Sequence, residues 1–198
     1  MRHPKDPNRH LPWETRLPST TQALGRYVDL QHIPPERLQI ATARGSKIHD
    51  YIFMDLSDLW IPPALITPDI EGYWKSYLHF KNVMIQETLL VEKKLVCTCF
   101  GYTGILDWCG ILHGDKGLTV VDWKSPITEG KTWRSQLAAY WHLVEKHMAP
   151  PLDLPVERCG SLMLSPKGTI PSFREYTKFQ PDYFSDFLSA LDAYRRFT

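Results

Sequence analysis

The sequence of 198 residues has no apolar run of about 18 residues, the length that a membrane-spanning helix needs. Its first 17 residues are polar and basic, so the apolar region of a secretory signal peptide is also missing. There is no internal repeat and no low-complexity segment. We therefore expect a cytoplasmic protein without a membrane partner, in which the four cysteines are reduced and mostly buried.

Net charge is also small, because 23 Lys and Arg side chains are balanced by 22 Asp and Glu side chains, which leaves +1. An overall basic field is thereby excluded, so a nucleic-acid partner would need a local basic patch and metal ions. A hydrophobic content of 43% with seven Trp argues against general disorder. We expect residues 19–198 to form a single domain and residues 1–18, which are rich in Pro, to form an extended arm.

Hydrophobic periodicity predicts an α/β fold with a mixed central β-sheet flanked by helices. Helices are expected at about 35–58, 69–81, 131–147 and from residue 181 onward. Strands are expected at about 83–91, 95–112, 118–124, 159–165 and 169–179. The charged segment Glu92–Lys94 is expected to join the first two strands, and the turn Pro166–Gly168 to join the last two.

A carboxylate and an ammonium lie two residues apart where an apolar strand ends, at Asp122 and Lys124. Side chains alternate along a strand, so these two share one face. Asp107 lies on the preceding predicted strand, across the turn at 113–117. If the two strands pair as a hairpin, both carboxylates can converge on one hard cation. The alternative is a solvated ion pair of small energetic consequence.

The helix that follows places Gln136 and Tyr140 on one side, since they are four residues apart. Both would then flank the end of the strand that carries the Asp and Lys. Alternatively, Tyr140 is only a core residue of an amphipathic helix and Gln136 a surface residue.

Four short motifs follow one another along the chain: Gly45-x-x-x-His49, Gly104-x-x-Asp107, Asp122-x-Lys124 and Gln136-x-x-x-Tyr140. This ordered series resembles the PD-(D/E)XK nucleases, specifically their RecB-like exonuclease branch, with the strongest likeness to small phage-encoded members. The resemblance extends from about residue 17 to the C-terminus and implies a restriction-endonuclease-like core. It also implies that Gln136 and Tyr140 belong to an accessory motif of the catalytic site.

The resemblance implies a metal centre as well. Asp107 and Asp122 would bind the metal, with His49 as a further ligand, and Lys124 would assist the attacking water. Mg²⁺ or Mn²⁺ would be the cofactor, and the imidazole favours Mn²⁺ because it is a softer ligand than the oxygens that Mg²⁺ prefers.

The function implied is metal-dependent DNA hydrolysis by an exonuclease, in phage or prophage recombination, replication or DNA processing. Its location would be the cytoplasm of a bacterial or phage-infected cell. Two alternatives stay open, a structure-specific or nicking endonuclease and a non-catalytic nucleic-acid-binding module on a nuclease scaffold. Polarity, strand preference, RNA as a substrate and oligomeric state are also open.

Several further charged residues are candidates for the site. Glu87 lies among apolar residues of the first predicted strand, so it either faces the site or alternates out to solvent. Phosphate contacts could come from Arg44 and Lys47 beside the His motif, and from Lys131 and Arg134 before Gln136. Each of these four could equally be an ordinary solvated charge.

The cysteines do not match the iron–sulfur cluster that some relatives hold through one N-terminal and three C-terminal Cys, so no cluster is expected. A zinc site formed by Cys97, Cys99, Cys109 and His113 would stabilise a binding module. The Cys-x-Cys spacing departs from the two to four intervening residues that structural zinc sites favour. We expect buried thiols instead, Cys159 among them.

Overall fold

A five-stranded mixed sheet forms the centre of the fold, in a computed structural model that describes residues 17–125 and 129–198. Its strands, which are neighbours in chain order, are β1 (Ile85–Cys97), β2 (Tyr102–Leu112), β3 (Leu118–Lys124), β4 (Val156–Met163) and β5 (Ser172–Glu175). The pairs β1–β2, β2–β3 and β4–β5 are antiparallel, whereas β3 and β4 are parallel. The expected α/β fold with a mixed sheet flanked by helices is confirmed.

The α-helices are α1 (Thr20–Leu24), α2 (Pro35–Leu56), α3 (Pro68–Met84), α4 (Trp133–His147), α5 (Ala149–Leu152) and α6 (Gln180–Phe197). α4 lies in the crossover that the parallel pair β3–β4 requires. Among the helices of the two described ranges, none is long and apolar enough to span a membrane.

The hydrophobic core lies on both faces of the sheet, as the alternation of side chains along β3 dictates. Val120 belongs to one cluster, together with Leu143 of α4 and Phe187 of α6. Val121 belongs to the other, together with Tyr77 of α3 and residues of α2. β3 is thus covered on both faces, which explains its continuous apolar sequence.

Helix starts follow local rules. α2 and α3 begin at Pro35 and Pro68, a position where the missing N–H of proline leaves no bond unmade. α3 also carries Asp69 in its first turn, which suits the positive end of the helix dipole. α1 begins after Ser19, which forms a capping box with Gln22.

The predicted break between the first two strands at Glu92–Lys94 is wrong. β1 runs through this segment, where Lys93 pairs with Leu106, and the turn lies at residues 98–101. The charged run misleads because β1 is an edge strand, and edge strands carry exposed charges that discourage pairing with other chains.

Some predicted bounds also differ. The first strand begins at Ile85 rather than residue 83, because α3 continues through the preceding turn. α4 begins at Trp133 rather than residue 131. Of the strand predicted at 169–179, only β5 forms, and a 3₁₀ helix follows at Thr177–Phe179.

Most of the expected arm, residues 1–16, lies outside the described residues. The end of the arm is attached to the domain. The carbonyl oxygen of Pro18 accepts a hydrogen bond from the backbone N–H of Thr103 at 2.9 Å, and Ser19 forms a parallel bridge with the same residue.

Substitution of two helical glycines by Ala should change the free energy of unfolding in opposite directions. At Gly72 of α3 an added Cβ would lie 1.8 Å from the carbonyl oxygen of Pro166, so Gly72→Ala should lower the free energy of unfolding by about 1–3 kcal/mol. At Gly45 of α2 the nearest atom to an added Cβ, Ser125 Oγ, would be 3.7 Å away. Gly45→Ala should therefore raise the free energy of unfolding by about 0.5–1 kcal/mol. Urea unfolding measures both. Equal stability of the two variants would contradict the close approach of α3 to the loop after β4.

Candidate active site

Two carboxylates are buried side by side where β2 and β3 pair. Trp108 is opposite Val121, and the same register, continued by one pair, brings Asp107 opposite Asp122. The two Asp residues are 7% and 1% exposed. Asp107 Oδ2 accepts a hydrogen bond from the backbone N–H of Trp123 at 2.8 Å. The sequence-based expectation that the two carboxylates converge matches this geometry.

Lys124 stands beside Asp122, as the alternation of the strand predicts. Its Nζ lies 2.6 Å from Asp122 Oδ2 and 5.3 Å from the centre of the Trp133 ring. The two charged side chains are only 17% and 2% exposed. The alternative of a solvated surface pair is therefore wrong, and a buried pair of this kind has a large desolvation cost that a functional site can justify.

α4 also contacts the Asp122 carboxylate. Gln136 Nε2 donates to Asp122 Oδ1 at 3.2 Å and to the hydroxyl oxygen of Tyr140 at 3.0 Å. Both side chains are buried, so Gln136 is not a surface residue. Together with Lys124, they leave Asp122 little freedom to rotate.

Close approach of α4 to the sheet depends on Gly104 of β2. A Cβ at this position would lie 2.7 Å from Leu143 Cδ1 and 2.8 Å from Tyr140 Cε1. The glycine of the Gly-x-x-Asp motif thus leaves room for the helix that carries Gln136.

His49 of α2 completes the site from the other side. Its Nδ1 lies 3.6 Å from Asp107 Oδ2, and its Nε2 lies 3.1 Å from the carbonyl oxygen of Trp123. A carbonyl only accepts, so a neutral His49 carries its proton on Nε2 and turns the lone pair of Nδ1 towards the carboxylates. A backbone acceptor on the far nitrogen is the usual way to orient a metal-binding histidine.

Glu92 of β1 is a site residue that sequence reasoning missed. Its Oε1 lies 3.4 Å from His49 Nδ1, and the ligand atoms of Glu92, His49 and Asp107 all lie within 4.8 Å of one another. Glu92 has a φ of 46°, a left-handed conformation that is uncommon for a non-glycine residue inside a strand. The charged residues that follow Glu92 indicated a turn, and the periodicity of the sequence does not identify a residue of this kind as part of a site.

Glu87, the acidic residue singled out on this strand, does not join the site. It is exposed and pairs with Ile111. Ile111 is four residues along β2 from Asp107, which corresponds to roughly 13 Å at the rise of a strand. Of its two options, Glu87 takes the solvent-exposed one.

The candidate phosphate contacts differ in their surroundings. Lys47 and Lys131 are exposed, whereas the half-buried guanidinium of Arg44 lies 5.1 Å from the centre of the Tyr73 ring. Two basic side chains are therefore positioned in solvent, and Arg44 is held against α3.

Arg134 has partners of its own. Its Nη2 lies 3.1 Å from Glu129 Oε1, and its guanidinium lies 5.3 Å from the centre of the Tyr183 ring. The first contact joins α4 to the segment before it and the second joins α4 to α6, so they give Arg134 a structural explanation that needs no phosphate.

The concentration of negative charge shifts the protonation of the site. Burial, followed by the neighbouring Asp122 carboxylate, raises the pKa of Asp107. Burial of His49 disfavours its charged form, but Asp107, Glu92 and Asp122 outweigh that effect and raise the pKa of His49 to about 9. Several negative charges are thus close together, and the site compensates for them with protons and with the ammonium of Lys124.

A cleft of about 530 Å³ opens this site to solvent. Gly45, Ser46, Asp50 and Phe53 of α2 line it, together with His49 and Glu92. His49 and Glu92 are therefore reachable from solvent through this cleft, and Asp107 lies behind His49.

Comparisons with protein-family models and with curated proteins give no match to this chain. The likeness to PD-(D/E)XK nucleases therefore depends on the ordered motifs of the sequence.

Metal binding should release a proton from His49. Its pKa of about 9 means that the imidazole is protonated at neutral pH, and an imidazole must lose this proton to bind a metal through Nδ1. The apparent affinity for Mn²⁺ should therefore rise about tenfold per pH unit between about pH 7 and 8.5. Titration calorimetry in non-chelating buffers measures this slope. The variant His49→Gln should bind Mn²⁺ more weakly, and its affinity should depend less steeply on pH. An unchanged pH dependence in this variant would contradict the assignment of His49 as a ligand.

Two glutamates on the same strand provide a matched test of the ligand set. Glu92→Gln should weaken Mn²⁺ binding by at least about tenfold, since even residues that only orient a ligand contribute about 10–100-fold. Glu87→Gln should leave the Kd unchanged, because Glu87 is exposed and remote. Equal effects of the two substitutions would contradict the assignment of Glu92.

Proposed function

We propose that this protein is a metal-dependent nuclease that hydrolyses phosphodiester bonds of DNA. Its place would be in the RecB-like exonuclease branch of the PD-(D/E)XK nucleases, with a restriction-endonuclease-like core. The observation that carries the proposal is the set Asp107, Asp122 and Lys124, which is shielded from solvent and lies next to His49, a residue that lines an open cleft together with Glu92.

The donor atoms fit Mg²⁺ or Mn²⁺. The carboxylates of Glu92 and Asp107 and the imidazole of His49 present ligand atoms within 4.8 Å of one another, and hard divalent cations prefer such oxygen-rich sets. Asp122 Oδ2 is buried and accepts no well-formed hydrogen bond in the described part of the chain, with Lys124 Nζ as its ionic neighbour. A metal ion at this oxygen would share it with the Lys124 ammonium, which lies 2.6 Å away.

A bound cation would neutralise the charge of the phosphodiester and lower the pKa of a water molecule. The protein supplies the orientation. Asp107 is held by the backbone N–H of Trp123, and Asp122 by Gln136, so both carboxylates are fixed before substrate binds. Pre-organised charges of this kind stabilise a transition state because they need no rearrangement during the reaction.

Lys124 acts on the reacting phosphate. Its ammonium is confined between Asp122 and the Trp133 ring, at the end of β3. From there it orients the attacking water and stabilises the negative charge that develops on the phosphorus oxygens. Lys47 and Lys131, both exposed, are the side chains that we assign to the flanking phosphates.

Substitutions of the central pair test the proposal. With Mn²⁺, Asp122→Asn and Lys124→Gln should lower the rate of linear DNA degradation by at least about 10³-fold, because each removes a charge that acts on the transition state. The exposed Lys93→Gln on β1 is the matched control and should retain full activity. Circular dichroism melting checks that each variant folds cooperatively. Full activity of Asp122→Asn would rule out the assigned site.

The same assay separates the classes of nuclease. The substrates are single- and double-stranded DNA labelled at the 5′ or the 3′ end, and a covalently closed circle, with EDTA as the negative control. An exonuclease releases label from one end and leaves the closed circle intact. Cleavage of the circle would replace the proposal by an endonuclease, and binding without cleavage would replace it by a binding module.

A further inference from the structure

Three metal-ligating side chains meet at the tip of the β1–β2 hairpin, away from the acidic site. The Sγ atoms of Cys97 and Cys99 are 3.1 Å apart, and Cys99 Sγ lies 3.8 Å from Nε2 of His142 on α4. All three ligand atoms lie within 4.8 Å of one another. The last residue of β1, one residue of the turn and one of a helix thus present two sulfurs and one imidazole nitrogen to a common point.

The surroundings fix these side chains in place. The ring of His142 stacks on Phe184 of α6 with centroids 4.6 Å apart, and Phe100 packs against it edge-on at 5.3 Å. Arg195 of α6 donates to the carbonyl oxygens of Phe100 and Gly101, and Gly101 takes the positive φ of 65° that the turn requires. Contacts with α6 therefore fix both the imidazole ring of His142 and the turn.

We propose that Cys97, Cys99 and His142 form a second metal site, which binds one Zn²⁺ and leaves a fourth position open to solvent. Tetrahedral zinc with Zn–S bonds of about 2.3 Å separates its sulfurs by about 3.8 Å and its sulfur and nitrogen by about 3.5 Å. The observed separations of 3.1 and 3.8 Å differ from these by less than about 1 Å. Each thiol releases one proton, so two thiolates balance the charge of the ion.

Two of the four zinc ligands considered from the sequence, Cys97 and Cys99, belong to this site, and the other two do not. Cys109 is fully buried in β2, and neither Cys109 nor His113 belongs to a metal-ligating group among the residues that the structure describes. His142 replaces them. The sequence could not suggest it, because it follows Cys99 by 43 residues and comes close only when α4 packs on the hairpin.

The two metal sites select different ions. The set of His49, Glu92 and Asp107 offers mainly oxygen and suits Mg²⁺ or Mn²⁺, whereas two thiolates favour Zn²⁺. Cys97 and His142 are buried and Cys99 is exposed, so an ion at the hairpin tip would be covered on one side and open on the other. An open position there is filled by water in a purified protein.

The consequence is a cross-link between the parts that build the acidic site. β1 and β2 carry Glu92 and Asp107, and α4 carries Gln136. A hydrogen bond from the Tyr102 hydroxyl to the carbonyl oxygen of Ala139 already joins β2 to α4 at 2.9 Å. Zinc bound only by the folded state would stabilise that alignment.

Cobalt substitution tests the site in the full chain, purified under reducing conditions and checked for free thiols. One equivalent of Co²⁺ should give a thiolate-to-cobalt charge-transfer band, which the acidic site cannot produce because it has no sulfur. One equivalent of Zn²⁺ should abolish the band. Zinc at about a hundredfold excess over Kd should raise the melting temperature by roughly 5–10 °C.

Variants decide which residues bind. Cys99→Ser should fold normally, since Cys99 is exposed, and should lose the band and any thermal shift beyond that which zinc at the acidic site contributes. His142→Phe keeps an aromatic ring against Phe184 and should weaken zinc binding at least tenfold. Cys109→Ala is the matched control and should keep the band. Absence of the band in fully reduced protein, or its persistence in Cys99→Ser, would overturn the proposal.

Discussion

Two carboxylates, Asp107 and Asp122, are buried next to each other by the pairing of β2 and β3, and much of the molecule is arranged around the cost of that placement. Like charges in a poorly solvated place repel strongly, so each needs compensation. The backbone N–H of Trp123 and the side chains of Lys124 and His49 provide it from β3 and α2. The structure keeps a charge arrangement that stability alone would not favour, which is typical of a functional site.

α4 links this arrangement to the rest of the fold. It crosses between the parallel strands β3 and β4, and the face that packs on the sheet carries Gln136 and Tyr140 at the acidic site. Farther along the same helix, His142 lies at the hairpin tip beside Cys99. Gly104 permits the close contact between helix and sheet. One helix therefore helps to position both the acidic site and the thiol cluster.

Hydrophobic and polar periodicity in the sequence was sufficient to predict which side chains share one face of a strand or helix. The alternation along β3 predicted that Asp122 and Lys124 share a face, and the helical spacing placed Gln136 beside Tyr140; both agree with the structure. It was insufficient for Glu92, because a charged edge strand with one left-handed residue has the local composition of a turn. Contacts between distant segments leave no periodic signal at all.

The central claim is that a divalent cation binds between the buried carboxylates and His49 and that DNA is cleaved there. Anomalous diffraction at the manganese edge, from crystals grown with Mn²⁺ and a short DNA duplex, tests it most directly. We predict an anomalous peak in contact with His49 Nδ1, Asp107 and Asp122, with a phosphate between the ion and Lys124. A bound duplex with no ion at these residues would contradict the account.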